Sequence, residues 1–375
     1  MTITPSAALV PVGNVDVVPA SEWDALVAAL GGSDTYLLAA YHQASALLEP
    51  PGTMPVFLRF RLPDGEVALP LLLRPLPDGS GWDATTPYGY GGPVAGSVRD
   101  PSAFGRALDA WARANRVVAT FLRLHPVLGN DRLVPPTADV VALGSTVAWD
   151  LSPGRDLMAQ MHPHHRRATR RAAQAGLEVS IDPAPSSLEG FRKLYETTMR
   201  RQGAHSFFFF PTSYWDALLT HAGDLEPVLV EGRIDGELVA SLLCFAKGPW
   251  LHYHLGASAD LARTTGASNH CFFATAEWAQ ARGITGFHLG GGVGGSSESP
   301  LFVFKRRFDP ANAPLTFRIA KLVHDQERYL ELSGTDSTDG FFPPWRDPAA
   351  RPAADHTRSG SAPAAAQLRS GTCAE

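Results

Sequence analysis

The chain has 375 residues, 45% hydrophobic and 18% charged, enough for two ordinary globular domains with buried cores. Its net charge of −5 argues against a globally cationic nucleic-acid or membrane-surface protein, so any polyanion contact must come from a local patch. The three cysteines (Cys244, Cys271, Cys373) are odd in number and far apart, which argues against a disulfide framework or a zinc knuckle. No charged-then-apolar leader and no apolar run of about 18 residues is present, so a cytoplasmic protein without an integral membrane segment is expected.

From the N-terminus, Val56–Phe60 and Val67–Leu72 flank Pro63-Asp64-Gly65-Glu66, a hairpin signal. A Tyr/Gly-rich segment from Tyr88 to Pro93 follows, then a predicted helix from about Ser102 to Asn115 and a strand from Val117 to Leu124. Met161 to Glu178 reads as a basic helix, with Arg166/Arg170 and Arg167/Arg171 each four residues apart along one side. That stripe is either a solvated face or a phosphate-contacting surface helped by His162, His164 and His165, and only Asp156 offers local compensation. The first pattern then returns. Strands Pro227–Glu231 and Leu238–Phe245 flank Ile234-Asp235-Gly236-Glu237, followed by the strand Trp250–Leu255, a helix from about Ser268 to Arg282 and the strand Gly286–Leu289.

The two Asp-Gly-Glu turns lie 171 residues apart, and Trp111 and Trp278, each late in its helix and followed by alanine, lie 167 apart. A shared hairpin–strand–helix–strand order at a near-constant offset implies gene duplication into two α/β domains with mixed sheets. The expected boundaries are 1–150 and 151–310, with 311–344 packing back on the first domain. Residues 345–375, rich in Ala, Pro, Ser and Arg, form an expected disordered tail.

The segment His288-Leu289-Gly290-Gly291-Gly292, followed by Leu301 to Phe308, carries the most chemistry. A strand runs into a glycine-rich loop, and Ser299-Pro300 starts a short helix with serine as N-cap and proline at the first helical position. Free N–H groups there suit an anion or a developing oxyanion, with Lys305 one turn into the helix. Gly290, Gly292 and Gly295 match a dinucleotide fingerprint in spacing, but no βαβ unit follows; a phosphate P-loop fails because Ser296 stands in the lysine position.

His252 and His254 alternate on a strand and share a face; without a third ligand at a defensible spacing no metal site is assigned, and Tyr253 is placed in the core. Phe207 to Phe210 read as a buried edge.

The second half resembles the FemX/FemAB-like branch of the Gcn5-related N-acyltransferase (GNAT) superfamily. The likeness rests on His165-Arg166-Arg167 through Arg171-Ala172 and Gly176, Thr198-Met199-Arg200-Arg201, and Phe208-Phe209-Phe210-Pro211 with Tyr214-Trp215. His252-Tyr253-His254-Leu255, His288 to Gly292, and Leu301-Phe302-x-Phe304-Lys305-x-x-Phe308 complete it, covering about residues 147–310 in order. The first half matches through Tyr88-Gly89-Tyr90-Gly91-Gly92-Pro93 and its layout. Two departures stand out: Ser299-Pro300 replaces an Asp-Ser pair, and nothing between Leu177 and Phe287 could form the long helical hairpin of some members.

The resemblance implies two tandem GNAT-like domains, and transfer of an aminoacyl group from aminoacyl-tRNA to an amine of a peptide or peptidoglycan precursor. It implies catalytic roles for Lys305 and Arg201, and substrate binding by Phe304, Tyr214, His252, His254, Gly290, Gly291, Gly292 and Tyr88. The tRNA contacts would fall to Arg166, Arg167, Arg170 and Arg171. No cofactor, no DNA partner and a monomer are expected. Aminolysis of an activated ester needs alignment and oxyanion stabilisation, and no Cys or Gly-x-Ser-x-Gly nucleophile stands out, so direct single displacement fits; no general base is identifiable. Two alternatives remain open. Arg263-Thr264-Thr265-Gly266-Ala267-Ser268 partly matches a GNAT pyrophosphate loop, which favours an acyl-CoA donor, and a duplicated scaffold could simply bind a peptide.

Overall fold

In the computed structural model, residues 9–98 and 100–348 are described. In chain order, β1 (Val15–Val17), α1 (Ala20–Ala29), α2 (Ala39–Ala46), β2 (Met54–Leu62), β3 (Gly65–Pro75), β4 (Trp82–Thr85), β5 (Val94–Ala95), α3 (Pro101–Ala114), β6 (Val117–Arg123) and β7 (Asp139–Asp150) come first. Next are α4 (Leu157–Gln160), α5 (Pro163–Gln174), β8 (Glu178–Asp182), α6 (Glu189–Arg201), α7 (Thr212–Thr220), α8 (Ala222–Leu225), β9 (Pro227–Ile234), β10 (Glu237–Lys247) and β11 (Trp250–Ser258). The last are α9 (Asp260–Thr265), α10 (Ala267–Ala281), β12 (Gly286–Gly291), α11 (Pro300–Arg306), β13 (Leu315–Val323) and α12 (Gln326–Ser333).

The chain divides into two compact units. Unit 1 holds the chain up to Gly32, Glu49–Val141 and the segment from Arg318; unit 2 holds Ser33–Leu48 and Ala142–Phe317. In unit 1 the strands run β1-β2-β3-β4-β6-β13, all antiparallel except β4 with β6, which are parallel across α3; β5 adds to β3. In unit 2 they run β8-β9-β10-β11-β12-β7, again antiparallel except the β11–β12 pair, joined across α9 and α10. The duplicated order is therefore present strand for strand, and each sheet is mixed. Its last member is exchanged along the chain. The strand that follows β6 in sequence, β7, pairs with β12, whereas the one that follows β12, β13, returns to β6.

Local sequence explains the matched parts. Asp235 and Gly236 both have positive φ (50° and 82°), the type I′ geometry that suits a two-residue hairpin, and they join β9 to β10. Pro101 opens α3 behind Asp100, whose carboxylate accepts the Ser102 N–H at 2.9 Å. Trp111, fully buried, anchors α3 in the unit 1 core with Phe60, Phe104 and Leu122; Phe272, Phe287, Trp149 and Phe308 centre the unit 2 core.

Trp345 and Arg346, assigned to a tail from composition, are anchored instead. Both donate to Asp83 Oδ2 at 2.8 Å, and Trp345 packs on Tyr329. Composition missed this because two side chains suffice to tie down a segment that has no periodicity. Residues 349–375, the rest of the expected tail, and Cys373 lie outside the described residues. No described helix is long and apolar enough to cross a membrane.

Candidate active site

In unit 2 the parallel pairing of β11 and β12 covers only Trp250–His252 against Gly286–His288. Beyond it the strands part. Both carry a bulge there: His254 is skipped in the register of β11 with β10, and Leu289 in that of β12 with β7. Bulges re-aim side chains, and these place polar groups beside an opening in the sheet.

Lys305 enters from α11. Ser299 caps that helix by accepting the Phe302 N–H at 3.2 Å, with Pro300 at the first position as the sequence indicates. The lysine is 1% exposed; its Nζ donates to the Gly291 carbonyl at 2.9 Å and lies 5.0 Å from the centroid of the Tyr253 ring. The glycine loop thus meets Lys305 through a carbonyl, not through the N–H groups expected to hold an anion. Gly290 has φ 77°, which reserves that position for glycine. Tyr253, placed in the core from its alternation, does face away from the two histidines, but it forms the floor beneath the lysine. Nothing in the sequence flags that role, which depends on where α11 packs.

Phe304, expected to bind substrate, is a core residue. Its ring packs on Phe272 and Phe308, and His165 bonds its carbonyl at 2.8 Å. Every fourth position of so short a helix faces the sheet, so Phe304 and Phe308 are buried together. Burial pulls the His165 imidazole down to about 3, so it stays neutral and serves packing.

His252 and His254 lie on the opposite face of β11, both against Tyr36 (ring centroids 5.2 and 6.2 Å). His254 Nε2 is 2.9 Å from the Tyr214 hydroxyl and Nδ1 is 3.5 Å from that of Tyr36. Burial holds His254 near 3 and pushes the Tyr214 hydroxyl up, so the ring is neutral between two hydroxyls. One hydroxyl must donate to it and the other accept. His252 Nε2 is bonded to Asp34 Oδ2 at 2.7 Å, both fully buried, and its Nδ1 is 3.4 Å from His288 Nδ1. Asp34 went unnoticed in the sequence because it is 218 residues from His252 and belongs to no motif.

Arg201 ends α6. It pairs with the exposed Asp260 at 3.0 Å and donates to the Ser258 carbonyl at 2.9 Å. Ser258 lies five residues beyond Tyr253 on β11, so Arg201 sits toward the end of the strand whose Tyr253 ring underlies Lys305. Tyr88 is half-buried in unit 1. Of Phe207 to Phe210, only Phe210 is buried, stacked on Tyr195; Phe207 is exposed, so the segment is graded and is not a buried edge throughout.

The basic helix is α5. Arg166 donates to the Ala159 and Met161 carbonyls, whereas Arg167, Arg170 and Arg171 are exposed and, among the described residues, pair with no carboxylate. Asp156 caps α4 instead of compensating them. The other face of α5 covers the loop that resembles a pyrophosphate cradle. A Cβ on Gly266 would lie 2.5 Å from the Ala168 carbonyl oxygen, and the Thr169 carbonyl is 3.0 Å from His270 Nδ1. The first turn of α10 (Ala267, Ser268, Asn269) is buried.

Comparison with known proteins places this geometry. An acetyltransferase (GNAT) domain model matches residues 152–298. No curated protein matches the sequence. Among solved structures the chain is similar to FemX, with TM-score 0.63 and 15% identity over 85% of this chain and 99% of that one. It is also similar to L-PGS from Bacillus licheniformis (TM-score 0.52, 16% identity, 80% and 90% covered). A third is a tandem GNAT protein from the clavulanic acid biosynthesis pathway (TM-score 0.50, 14% identity, 83% and 98% covered). The match to the acetyltransferase (GNAT) model falls within the unit 2 part of the chain. In fold, the chain is similar to FemX and to a tandem GNAT protein.

Proposed function

We propose that this protein transfers an aminoacyl group from aminoacyl-tRNA to an amine of a peptide-type acceptor, a peptidoglycan precursor or a peptide secondary metabolite. The observation that carries the donor assignment is the closed cradle of unit 2. Coenzyme A needs open backbone N–H groups for its diphosphate. Here the first turn of α10 is buried and the Ala168 and Thr169 carbonyls, both negative ends of dipoles, face Gly266 and His270. In unit 1 the matching helix start is closed by the Asp100 carboxylate and by Pro101, which has no N–H to offer. An RNA donor makes no such demand; only its 3′ end must reach Lys305.

In this reading Lys305 stabilises the oxyanion on the ester carbonyl, with Gly290, Gly291 and Gly292 framing the position and Tyr253 beneath it. Tyr214 and His254 shape the acceptor pocket. Arg201 anchors an anionic acceptor group at the far end of β11, where exposed Asp260 can exchange for it, and Tyr88 contributes an acceptor contact. Arg167, Arg170 and Arg171 contact donor phosphates. Attack by the amine and departure of the 3′-oxygen complete a direct displacement.

One observation favours an acyl-CoA donor as the second reading. Asn269 Nδ2 and Thr169 Oγ1 are buried without hydrogen-bond partners on the two helices that meet at the cradle. The test is transfer to a cell-extract acceptor fraction from a charged tRNA pool and from an acyl-CoA pool, with ribonuclease added first in a parallel tube. Ribonuclease-sensitive transfer from the tRNA pool is expected; ribonuclease-resistant transfer that requires acyl-CoA would overturn the donor assignment.

A further inference from the structure

An aminolysis must remove a proton from the attacking amine, and neither Lys305 nor Arg201 is built to accept one. A chain of four buried groups in unit 2 is. Thr146 Oγ1 lies 3.0 Å from His288 Nε2, His288 Nδ1 lies 3.4 Å from His252 Nδ1, and His252 Nε2 lies 2.7 Å from Asp34 Oδ2. All four residues are at most 2% exposed.

With both imidazoles carrying a single proton, the chain has one direction. With Asp34 ionised, its Oδ2 accepts and His252 must carry its proton on Nε2. A neutral His252 then presents a lone pair at Nδ1, so His288 must carry its proton on Nδ1 and accept from the Thr146 hydroxyl at Nε2. Asp34 is fixed at the far end, because its Oδ1 accepts the Tyr36 N–H at 3.0 Å. The near end lies on the histidine face of the sheet, across the strand pairing from the carbonyl that holds Lys305. Thr146 on β7 is the register partner of Gly291, whose carbonyl accepts from Lys305.

We propose that Thr146, His288, His252 and Asp34 form a buried relay that takes up the proton released by the acceptor amine beside Lys305. It rests on unit 2 acting as an acyltransferase and does not depend on which donor it uses. As the amine nitrogen bonds to the acyl carbon, its proton passes to Thr146 Oγ1 while the hydroxyl proton moves to His288 Nε2. The Nδ1 proton of His288 moves to His252, and the Nε2 proton of His252 to Asp34. When the bond from the acyl carbon to the leaving oxygen (or sulfur) breaks, one proton returns along the same path to the leaving group. Asp34 is ionised again at the end of the cycle, and no other reactant is required.

The test reads the relay in two ways on the full chain. Nitrogen-15 spectra of the histidine-labelled protein should show His252 as the Nε2–H tautomer and His288 as the Nδ1–H tautomer. In Asp34→Asn the amide NH2 faces His252 and can only donate to it, which forces His252 to Nδ1–H and His288 to Nε2–H. A merely structural hydrogen bond at Asp34 would not propagate a reversal to His288. Single-turnover transfer to glycine amide, used as the amine probe, should fall about 10²-fold in Asp34→Asn and in Thr146→Val, with KM changed less than about twofold, and recover in Thr146→Ser. Tautomers other than these in the parent protein, or an unaltered rate in Thr146→Val, would overturn the relay. If acyl-CoA and not charged tRNA supports transfer, the donor assignment fails, and the same variants measured with acyl-CoA still decide the relay.

Discussion

Units 1 and 2 share a strand order and place different groups at the same point of it. At the last paired position of the parallel pair, unit 2 has His252 opposite His288; in unit 1 that last pair is Thr85 opposite Phe121, preceded by Ala84 opposite Thr120. Thr120 bonds His324 at 2.9 Å, and the other nitrogen of that ring reaches Asp109, a half-exposed carboxylate on α3. The chain of groups in unit 2 ends instead at Asp34, fully buried. The charged cluster buried in unit 1 is elsewhere: Asp83 on β4 holds Arg74, Arg346 and Trp345, and so ties the segment around Trp345 to the unit. A duplicated backbone thus carries a structural clasp in one copy and a candidate reaction site in the other. Fold and chemistry are separable, because the sheet fixes positions and the side chains alone decide what is done there.

The largest effect expected from breaking this contrast is in unit 1. Asp83→Ala removes the acceptor for two guanidiniums and should cost about 3–5 kcal/mol of stability, read as a lowered melting temperature, because it leaves charge buried without its partner. If melting is unchanged, the clasp is not structural. Lys305→Met should lower turnover about 10²- to 10³-fold, corresponding to about 2.7–4 kcal/mol, with little change in substrate affinity. Unchanged turnover with weaker binding would make Lys305 an anchor and remove the chemical distinction between the units.

Mild acid should separate the units further. Burial depresses His42 to about 4 and His165 and His254 to about 3, and all three are in unit 2. Below the ordinary histidine value near 6.5 the unfolded chain binds protons that the folded one refuses. Their stabilisation is therefore complete above about pH 6.5 and is lost as pH falls toward 3, at up to roughly 1.4 kcal/mol per pH unit per histidine. In unit 1 the hydrogen bond from His324 holds Asp109 below the usual carboxylate range, which matters only as pH falls below about 4. Hydrogen exchange at pH 7 and pH 5 should show unit 2 opening first; equal weakening of both units would contradict this.

The smallest effect concerns α5. Replacing Arg167, Arg170 and Arg171 by glutamine should flatten the salt dependence of donor affinity by roughly one slope unit per lost phosphate contact. An unaltered slope would mark the stripe as a solvated face. Arg166 is left out of that set because its guanidinium is occupied by the Ala159 and Met161 carbonyls.

Much of the fold is legible in the sequence wherever the cause is local. The Asp64-Gly65 and Asp235-Gly236 turns, the Pro101 and Ser299-Pro300 helix starts, and alternating apolar strands set the hairpin–strand–helix–strand order in both halves. Position of a titratable group on a strand is local too: His252 and His254 share a face, as alternation requires, despite the bulge at His254.

What a strand pairs with is not local. β7 and β13 have the same neighbours in sequence whether they close their own half or the other, and the exchange is decided by which sheet edge each completes. The same holds for the site. Lys305 and the glycine loop can be found from spacing, but the floor that Tyr253 provides depends on how α11 packs, and burial of Phe304 on the cores that α5 and α10 build around it. Asp34 joins unit 2 through the segment Ser33–Leu48, far from the strands it serves. Sequence alone determined the repeated elements and the residue types available for chemistry. Tertiary structure decided which of them meet, because hydrogen bonds and packing between residues 100 or more positions apart leave no periodic trace in the chain.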